Sequence, residues 1–251
     1  MKEAILRAED VCKRFPGADS LVLDHVSLDI YKHDFTVIMG ASGAGKSTLL
    51  YALSGMDAIT SGKVFFEERE ISDLSEGRMA RLRARAFGFV FQQTHLVSNL
   101  TLEENVTVAG YASGLRPPHQ VRERAARLLE TMNVQDARHR MPGQVSGGEA
   151  QRAAMARALI NEPSMIFCDE PTGALNKRNS EEVLGLLAQV HQSGQSILMV
   201  THDVRAAAHG NRLLYLEDGR IIGEKQLPPF DVARLQEREA AVNEWLAAMS
   251  W

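Results

Sequence analysis

The chain has only two cysteines, Cys12 and Cys168, in 251 residues. That is too few for a disulfide framework. Each lies in an apolar, strand-like stretch and the two are far apart in sequence, so they read as buried free thiols of a reducing compartment. No apolar run approaches the ~20 residues that a membrane-spanning helix needs. The N-terminal segment, Met1 to Arg7, lacks the apolar core of a secretion signal. Positive charge is not in excess: 28 Lys and Arg stand against 32 Asp and Glu, for a net charge of -4 and a pI near 6.1. That argues against nucleic acid as the main partner. Internal repeats and low-complexity segments are absent. These absences predict a soluble, cytoplasmic protein whose membrane connection, if any, runs through a partner. The apolar share of 45% and charged share of 24% are those of a soluble globular chain. The length suits a single α/β domain carrying an insertion.

One stretch organises the chain: Gly40-Ala41-Ser42-Gly43-Ala44-Gly45-Lys46-Ser47-Thr48. An apolar run, Thr36 to Met39, precedes it, and Leu49-Leu50-Tyr51-Ala52-Leu53 follows. Strand, glycine loop and helix in that order fit G-x-x-x-x-G-K-[ST], the phosphate-binding loop. Glycines let the backbone bring its N–H groups close to phosphate oxygens, and the helix offers free N–H groups and a positive dipole end. Lys46 supplies a full charge for the β- and γ-phosphates, and Ser47 a hydroxyl for Mg²⁺.

Other signals are weaker singly. Residues 5–11, Leu21 to Leu23 and Val26 to Ile30 read as antiparallel strands ahead of the loop, and Ser61 to Phe66 as a turn and strand. Phe15 is an aromatic that can stack on a nucleobase, although such a residue alone is more often turn or core packing. The helix over 75–86 carries Arg78, Arg81, Arg83 and Arg85. No aromatics interleave with them, so a solvated face is the better reading than nucleic-acid contact. Phe87 to Phe91 reads as a buried strand ending at Gln92. From about 95 to 162 the pattern turns helical. Thr101 and Glu104 have capping-box spacing, and Val121 to Met132 is amphipathic. This run separates two strand-rich halves, as an inserted helical subdomain would. Ser146-Gly147-Gly148-Glu149 then feeds a helix through Ala153 to Leu159; such a start can bind an anion, but Ser and Gly begin many helices.

Met165 to Cys168 is a buried-type strand ending in Asp169-Glu170. Carboxylates at the C-terminal end of a core strand sit where open α/β sheets bind ligands. Asp169 suits Mg²⁺, and Glu170 suits polarising a water for attack on a γ-phosphate. A helix is predicted over 180–192 and a buried strand over 196–200, with His202 just beyond it. A lone histidine there is more often structural; its place after the Asp-Glu strand favours the active site. Leu213 to Ile222 makes a hairpin, and 231–249 a helical tail. The tail's stripe of Val232, Leu235, Val242, Trp245, Leu246 and Met249 suits packing on its own domain.

The order of these signals resembles the ATP-binding cassette (ABC) family over nearly the whole chain. The Ser-Gly-Gly signature is the most specific element. The resemblance implies an α/β phosphate-loop NTPase core with an N-terminal antiparallel β subdomain and an inserted α-helical subdomain. It divides the chain into an ATPase domain over 1–228 and a helical tail over 229–251. It assigns Gly40 to Thr48 to the Walker A loop, Met165 to Asp169 to the Walker B strand and Glu170 to the catalytic glutamate. Gln92 is then the Q-loop glutamine, which touches Mg²⁺ or the attacking water; His202 is the switch histidine and Phe15 the adenine-stacking aromatic. Ser146, Gly147, Gly148 and Glu149 fall in the signature, which in the family completes the ATP site of a second subunit. ATP, Mg²⁺, a head-to-tail homodimer and an integral-membrane permease follow as expectations, with location on the cytoplasmic side of the inner membrane.

Gly88 to Gln92, Leu100 to Val106 and Asp169 to Leu175 resemble one branch, that of macrolide exporters, lipoprotein-release systems, the cell-division complex and antimicrobial-peptide resistance. Three departures from the pattern stand out. Asn176 stands where the D-loop usually has Asp, His33-Asp34 replaces a Gly-Glu turn, and Val145 replaces Leu. None removes a catalytic group, so an active ATPase is expected. Other readings are a soluble ABC ATPase acting on DNA, ribosomes or cofactor assembly, and a nucleotide kinase. The first expects a coiled-coil insertion, a second cassette or a basic linker, none of which is present; the signature disfavours the second.

Overall fold

Buried strands of this chain are continuous apolar runs, and half-exposed strands alternate; the two patterns separate two kinds of sheet. In the computed structural model, which describes residues 2–249, the strands are β1 (Ala4–Lys13), β2 (Leu23–Tyr31), β3 (Phe35–Met39), β4 (Ser61–Phe66), β5 (Arg69–Glu70), β6 (Phe87–Phe91), β7 (Met165–Asp169), β8 (Ser196–Val200), β9 (Arg212–Glu217) and β10 (Arg220–Gln226). The helices are α1 (Lys46–Leu53), α2 (Glu76–Ala86), α3 (Leu102–Ser113), α4 (Pro118–Thr131), α5 (Gly147–Leu159), α6 (Lys177–Gln192), α7 (Val204–Ala207) and α8 (Leu235–Ala248). Residue 1 and residues 250–251, the outer ends of the expected 1–228 and 229–251 divisions, lie outside the described residues.

The chain forms two compact units, one of Met1–Met79 with Val190–Trp251, the other of Ala80–Gln189. In the first, β2, β1, β4 and β5 make an antiparallel sheet, with Ala8 opposite both Leu28 and Val64. Leu21 to Leu23 and Val26 to Ile30 do not form two strands: Leu23–Tyr31 is one, because the whole run pairs with β1. Beside this sheet in the same unit, β3 runs parallel to both β8 and β9, and β10 pairs antiparallel with β9. Every residue of β3 and β8 is buried, as expected of central parallel strands.

In the second unit, β6 and β7 pair in parallel, with Val90 opposite Cys168 and Phe91 opposite Asp169. Between them in sequence lie α3, α4 and α5 and no strand. Val121, Ala125 and Leu129 form the buried face of α4. The Thr101–Glu104 capping box is present at the start of α3. This is the α/β phosphate-loop NTPase fold with an antiparallel β portion and a helical insertion. Cys12 and Cys168 are both buried and free. Burial, then the neighbouring Asp169 charge, pushes the Cys168 thiol far up, so it stays protonated and inert.

Candidate functional site

In the first unit the parallel register brings two loops to one sheet edge. Ile38 lies opposite Val200, so the loop after β3 and the Thr201-His202-Asp203 turn after β8 leave together. Thr201 N donates to Ile38 O at 3.2 Å, closing that edge. The glycines at the ends of the loop are sterically required. A Cβ on Gly40 would sit 2.2 Å from Leu216 O. Gly45 has φ of 99° and a Cβ there would sit 2.9 Å from Val22 O. At both positions another stretch of backbone comes too close for any side chain. Ala41, Ser42 and Gly43 are exposed, whereas Ala44 and Gly45 are buried where α1 starts.

Lys46, only 8% exposed, curls over the loop: its Nζ donates to Gly40 O at 2.8 Å and to Ala41 O at 2.9 Å. The same positive charge that suits a phosphate here ties the loop's own carbonyls together. Ser47 and Thr48 follow on the first turn of α1, half-buried. His202 is exposed, and its turn is fixed from below. Asp203 N donates to Thr201 Oγ1 at 3.0 Å, and Asp203 Oδ1 accepts from Arg205 N at 2.8 Å, capping α7. Phe15 is 42% exposed beyond β1, with the Lys13 ammonium 4.9 Å from its ring centroid. Its outer face is available to a flat ligand.

In the second unit the pairing of Phe91 with Asp169 does the same for Gln92 and Glu170, which leave β6 and β7 at one edge. Asp169 is buried and Glu170 half-buried. Glu170 has φ of 47°, a left-handed conformation uncommon for a non-glycine residue. Gly173 N donates to Glu170 O at 3.0 Å, completing the turn. Gln92 lies over that turn; a Cβ on Gly173 would be 2.9 Å from Gln92 Nε2.

One residue that sequence reasoning passed over ties this edge together. Gln151, 1% exposed on α5, donates from Nε2 to Phe91 O at 2.9 Å and to Pro171 O at 2.8 Å. It therefore grips the backbone just before Gln92 and just after Glu170. The signal was a polar residue one turn into an otherwise alanine-rich helix, which is too common to single out.

The signature sits at the start of α5, as its Ser-Gly-Gly led one to expect: the helix begins at Gly147 and Ser146 caps it. Ser146 and Gly147 are exposed; Gly148 is buried against Asn179, which a Cβ at that position would meet at 2.5 Å. Ser146 Oγ donates to Glu149 Oε2 at 2.7 Å, Ser146 N donates to the same oxygen at 2.8 Å, and Glu149 N donates to Ser146 Oγ at 3.2 Å. The hydrogen bonds from Ser146 hold the Glu149 carboxyl below its usual range. Asn176 Oδ1 accepts from Asn179 N at 3.0 Å and so caps α6, which starts at Lys177. An aspartate would cap the same helix, so the departure at this position costs the fold nothing. Val145 and the His33-Asp34 turn precede ordinary elements; His33 N donates to Ser196 Oγ at 2.9 Å.

The tail helix α8 packs on its own unit through Val242, Trp245 and Leu246, and Trp245 meets Tyr215 edge-on at 6.2 Å. Val232 is 74% exposed and lies outside the buried stripe, because residues 232–234 form a separate 3-10 turn. Arg238, in α8, is buried and donates to Ala208 O at 2.7 Å and to Gly210 O and Pro228 O at 2.5 Å. Among the described residues no helix is long and apolar enough to cross a membrane.

Known proteins resemble the chain in sequence and in fold. The profile of the ABC transporter family matches residues 23–173. The lipoprotein-releasing system ATP-binding protein LolD of Aquifex aeolicus is 44% identical over 220 residues, covering 88% of this chain and 97% of that protein. The macrolide export ATP-binding/permease protein MacB of Vibrio parahaemolyticus is 40% identical over 227 residues, covering 89% of this chain but only 34% of that one. The chain thus spans about a third of the length of the MacB relatives it matches. A solved dimer of the ATP-binding cassette MJ0796, bound to ADP and Pi after hydrolysis, superposes with a TM-score of 0.82 at 34% identity, covering 90% of this chain and all of that one. Phosphate loop, signature, fold and these likenesses agree: the chain belongs to the ABC transporter family as an ATP-hydrolysing cassette.

Proposed function

We propose that two copies of the chain close head to tail on two ATP molecules and that this closure drives a separate integral-membrane permease. The observation that carries the reading is the signature: Ser146 and Gly147 are exposed on the single chain, at a helix start suited to an anion. A second copy can therefore present its phosphate to them. That the cassette MJ0796 was solved as a dimer supports pairing of two copies.

In this reading Phe15 stacks on adenine, and the amides of Gly40 to Thr48 hold the phosphates. Lys46 turns from the carbonyls of Gly40 and Ala41 to the β- and γ-oxygens. Glu170 accepts a proton from the attacking water and His202 contacts the γ-phosphate. Gln92 reports on the permease. Mg²⁺ would be held by Ser47, Gln92 and Asp169. These are hard oxygen donors, few in number, as suits an ion that keeps mostly water and phosphate ligands. When bound, the ion neutralises charge developing on the phosphates. Asn176, uncharged, keeps the D-loop turn without adding repulsion near the nucleotide. In this reading the inserted helical subdomain runs over about 95–162, within an ATPase domain of 1–228 followed by the tail.

The likeness to LolD and MacB supports a role in lipoprotein release, efflux or related envelope work, with the chain peripheral on the inner membrane through its permease. Glu170→Gln tests the reading. The variant is expected to form an ATP-dependent dimer, seen by sedimentation, and to hydrolyse at least a hundredfold more slowly than the parent. Unchanged turnover would remove Glu170 from the role of base.

A further inference from the structure

The hydroxyl of Ser146 has one proton to give, and it is already committed. It goes to Glu149 Oε2 at 2.7 Å, and the same carboxylate oxygen takes the Ser146 N–H at 2.8 Å. Glu149 is thus an anion seated on the Ser146 hydroxyl and N–H, at the helix start proposed to receive the γ-phosphate. The structure assigns Glu149 the role of a positioning residue that acts through Ser146: an internal competitor that the phosphate of the partner copy must displace before the dimer closes. This inference rests on the proposed trans role of the signature.

Three features make the competition specific. First, both anions want the same place, the positive end of α5. Second, Gly147 and Gly148 follow the cap, so no side chain shields the donors from an incoming phosphate. Third, the chain carries an internal comparison. Thr101 and Glu104 form the same box on α3, with Thr101 Oγ1 to Glu104 Oε2 at 2.9 Å and Thr101 N to Glu104 Oε2 at 2.8 Å. There the next residues are Leu102 and Glu103, so that helix start is closed to phosphate by bulk and charge. Glu149 therefore sets a threshold: the empty cassette keeps its signature satisfied, and only a nucleotide with a γ-phosphate outbids the carboxylate. Gln in its place keeps an oxygen to accept both Ser146 bonds but removes the charge.

The test is an ATP titration of dimer formation by sedimentation, in the slow-hydrolysing Glu170→Gln chain, at low salt and at about 0.5 M salt. Adding Glu149→Gln is expected to lower the half-saturating ATP concentration about tenfold, from removal of one helix-terminal charge at each of two sites. The gain shrinks in high salt, because a repulsion between charges is screened and a packing effect is not. Glu149→Ala shifts the titration the same way, and Glu104→Gln leaves it unchanged. Thermal unfolding of each variant confirms that it is folded. A Glu149→Gln titration that superimposes on the parent's, or a gain independent of salt, overturns the inference. Ser146→Ala separates the two levels. If it weakens dimerisation while Glu149→Gln changes nothing, the signature reading stands and the competitor falls. If Ser146→Ala also changes nothing, the signature reading fails and takes the inference with it.

Discussion

Gln151 is the residue whose loss should be felt in both stability and turnover. Its amide nitrogen sends one proton to Phe91 O at 2.9 Å and the other to Pro171 O at 2.8 Å, and the side chain is 1% exposed. Gln151→Leu keeps most of the volume and removes both donors. Each buried carbonyl then faces a methyl group where it had a partner, at about 1–2 kcal/mol apiece. The sum, about 2–4 kcal/mol, is a large part of the roughly 5–15 kcal/mol that holds a typical domain together. At about 2–4 °C per kcal/mol for a chain of this size, the melting temperature should fall by roughly 5–15 °C. The two carbonyls adjoin Gln92 and Glu170, whereas Gly40 to Thr48 lie in the other unit. The ATPase assay should therefore show kcat reduced roughly tenfold or more, from misplacement of these groups, with KM for ATP little changed. Calorimetry and steady-state kinetics on the same preparation decide. A melting temperature within a degree of the parent's would refute the energetic reasoning. A full stability loss with unchanged kcat would refute the positioning role.

Two further outcomes concern the first unit. Arg238→Ala should release α8, since the guanidinium bonds the carbonyls of Ala208, Gly210 and Pro228. Limited proteolysis should cut beyond Pro229 at least tenfold faster, and Arg238→Lys should not restore protection, because an ammonium cannot present a planar fork to three carbonyls. His209 is stacked on Phe230 at 4.8 Å, and burial holds its pKa below the ordinary 6.5, outweighing the hydrogen bond to Arg205 O and the Asp203 charge. The unfolded chain then binds the proton more readily than the folded one, so stability is full above pH 6.5 and is lost as pH falls from there toward the folded pKa. Urea unfolding between pH 7 and 5 should show this slope in the parent and a smaller one in His209→Gln.

The elements that sequence revealed are those whose cause is local. Parallel core strands need apolar residues on both faces, so β3, β7 and β8 stand out as unbroken apolar runs. The phosphate loop announces itself because close backbone approach at Gly40 and Gly45 tolerates nothing else. Helix starts were less legible. The helix α6 begins at Lys177, earlier than the expected 180, because Asn176 caps a stretch with no apolar pattern of its own. The break in β2 was a false one: Asp24 and His25 interrupt the apolar run, yet pairing with β1 overrides them. Gln151 and Arg238 were invisible for a different reason. Their partners are backbone carbonyls distant in sequence, and such acceptors leave no mark on composition. The sequence placed Gln92 and Glu170 at the ends of two strands; only the register puts those ends side by side.

In the proposed dimer each ATP site takes its phosphate loop from one copy and its signature from the other. The direct measurement mixes two inactive chains. Lys46→Ala has an intact signature but no phosphate-binding lysine, and Ser146→Arg has an intact loop but a blocked signature. If the sites are shared in trans, the mixed dimer holds one complete site, and ATPase activity should rise on mixing to a substantial fraction of the parent's although each chain alone is nearly silent. No gain on mixing, with mixed dimers present by sedimentation, would contradict the shared site.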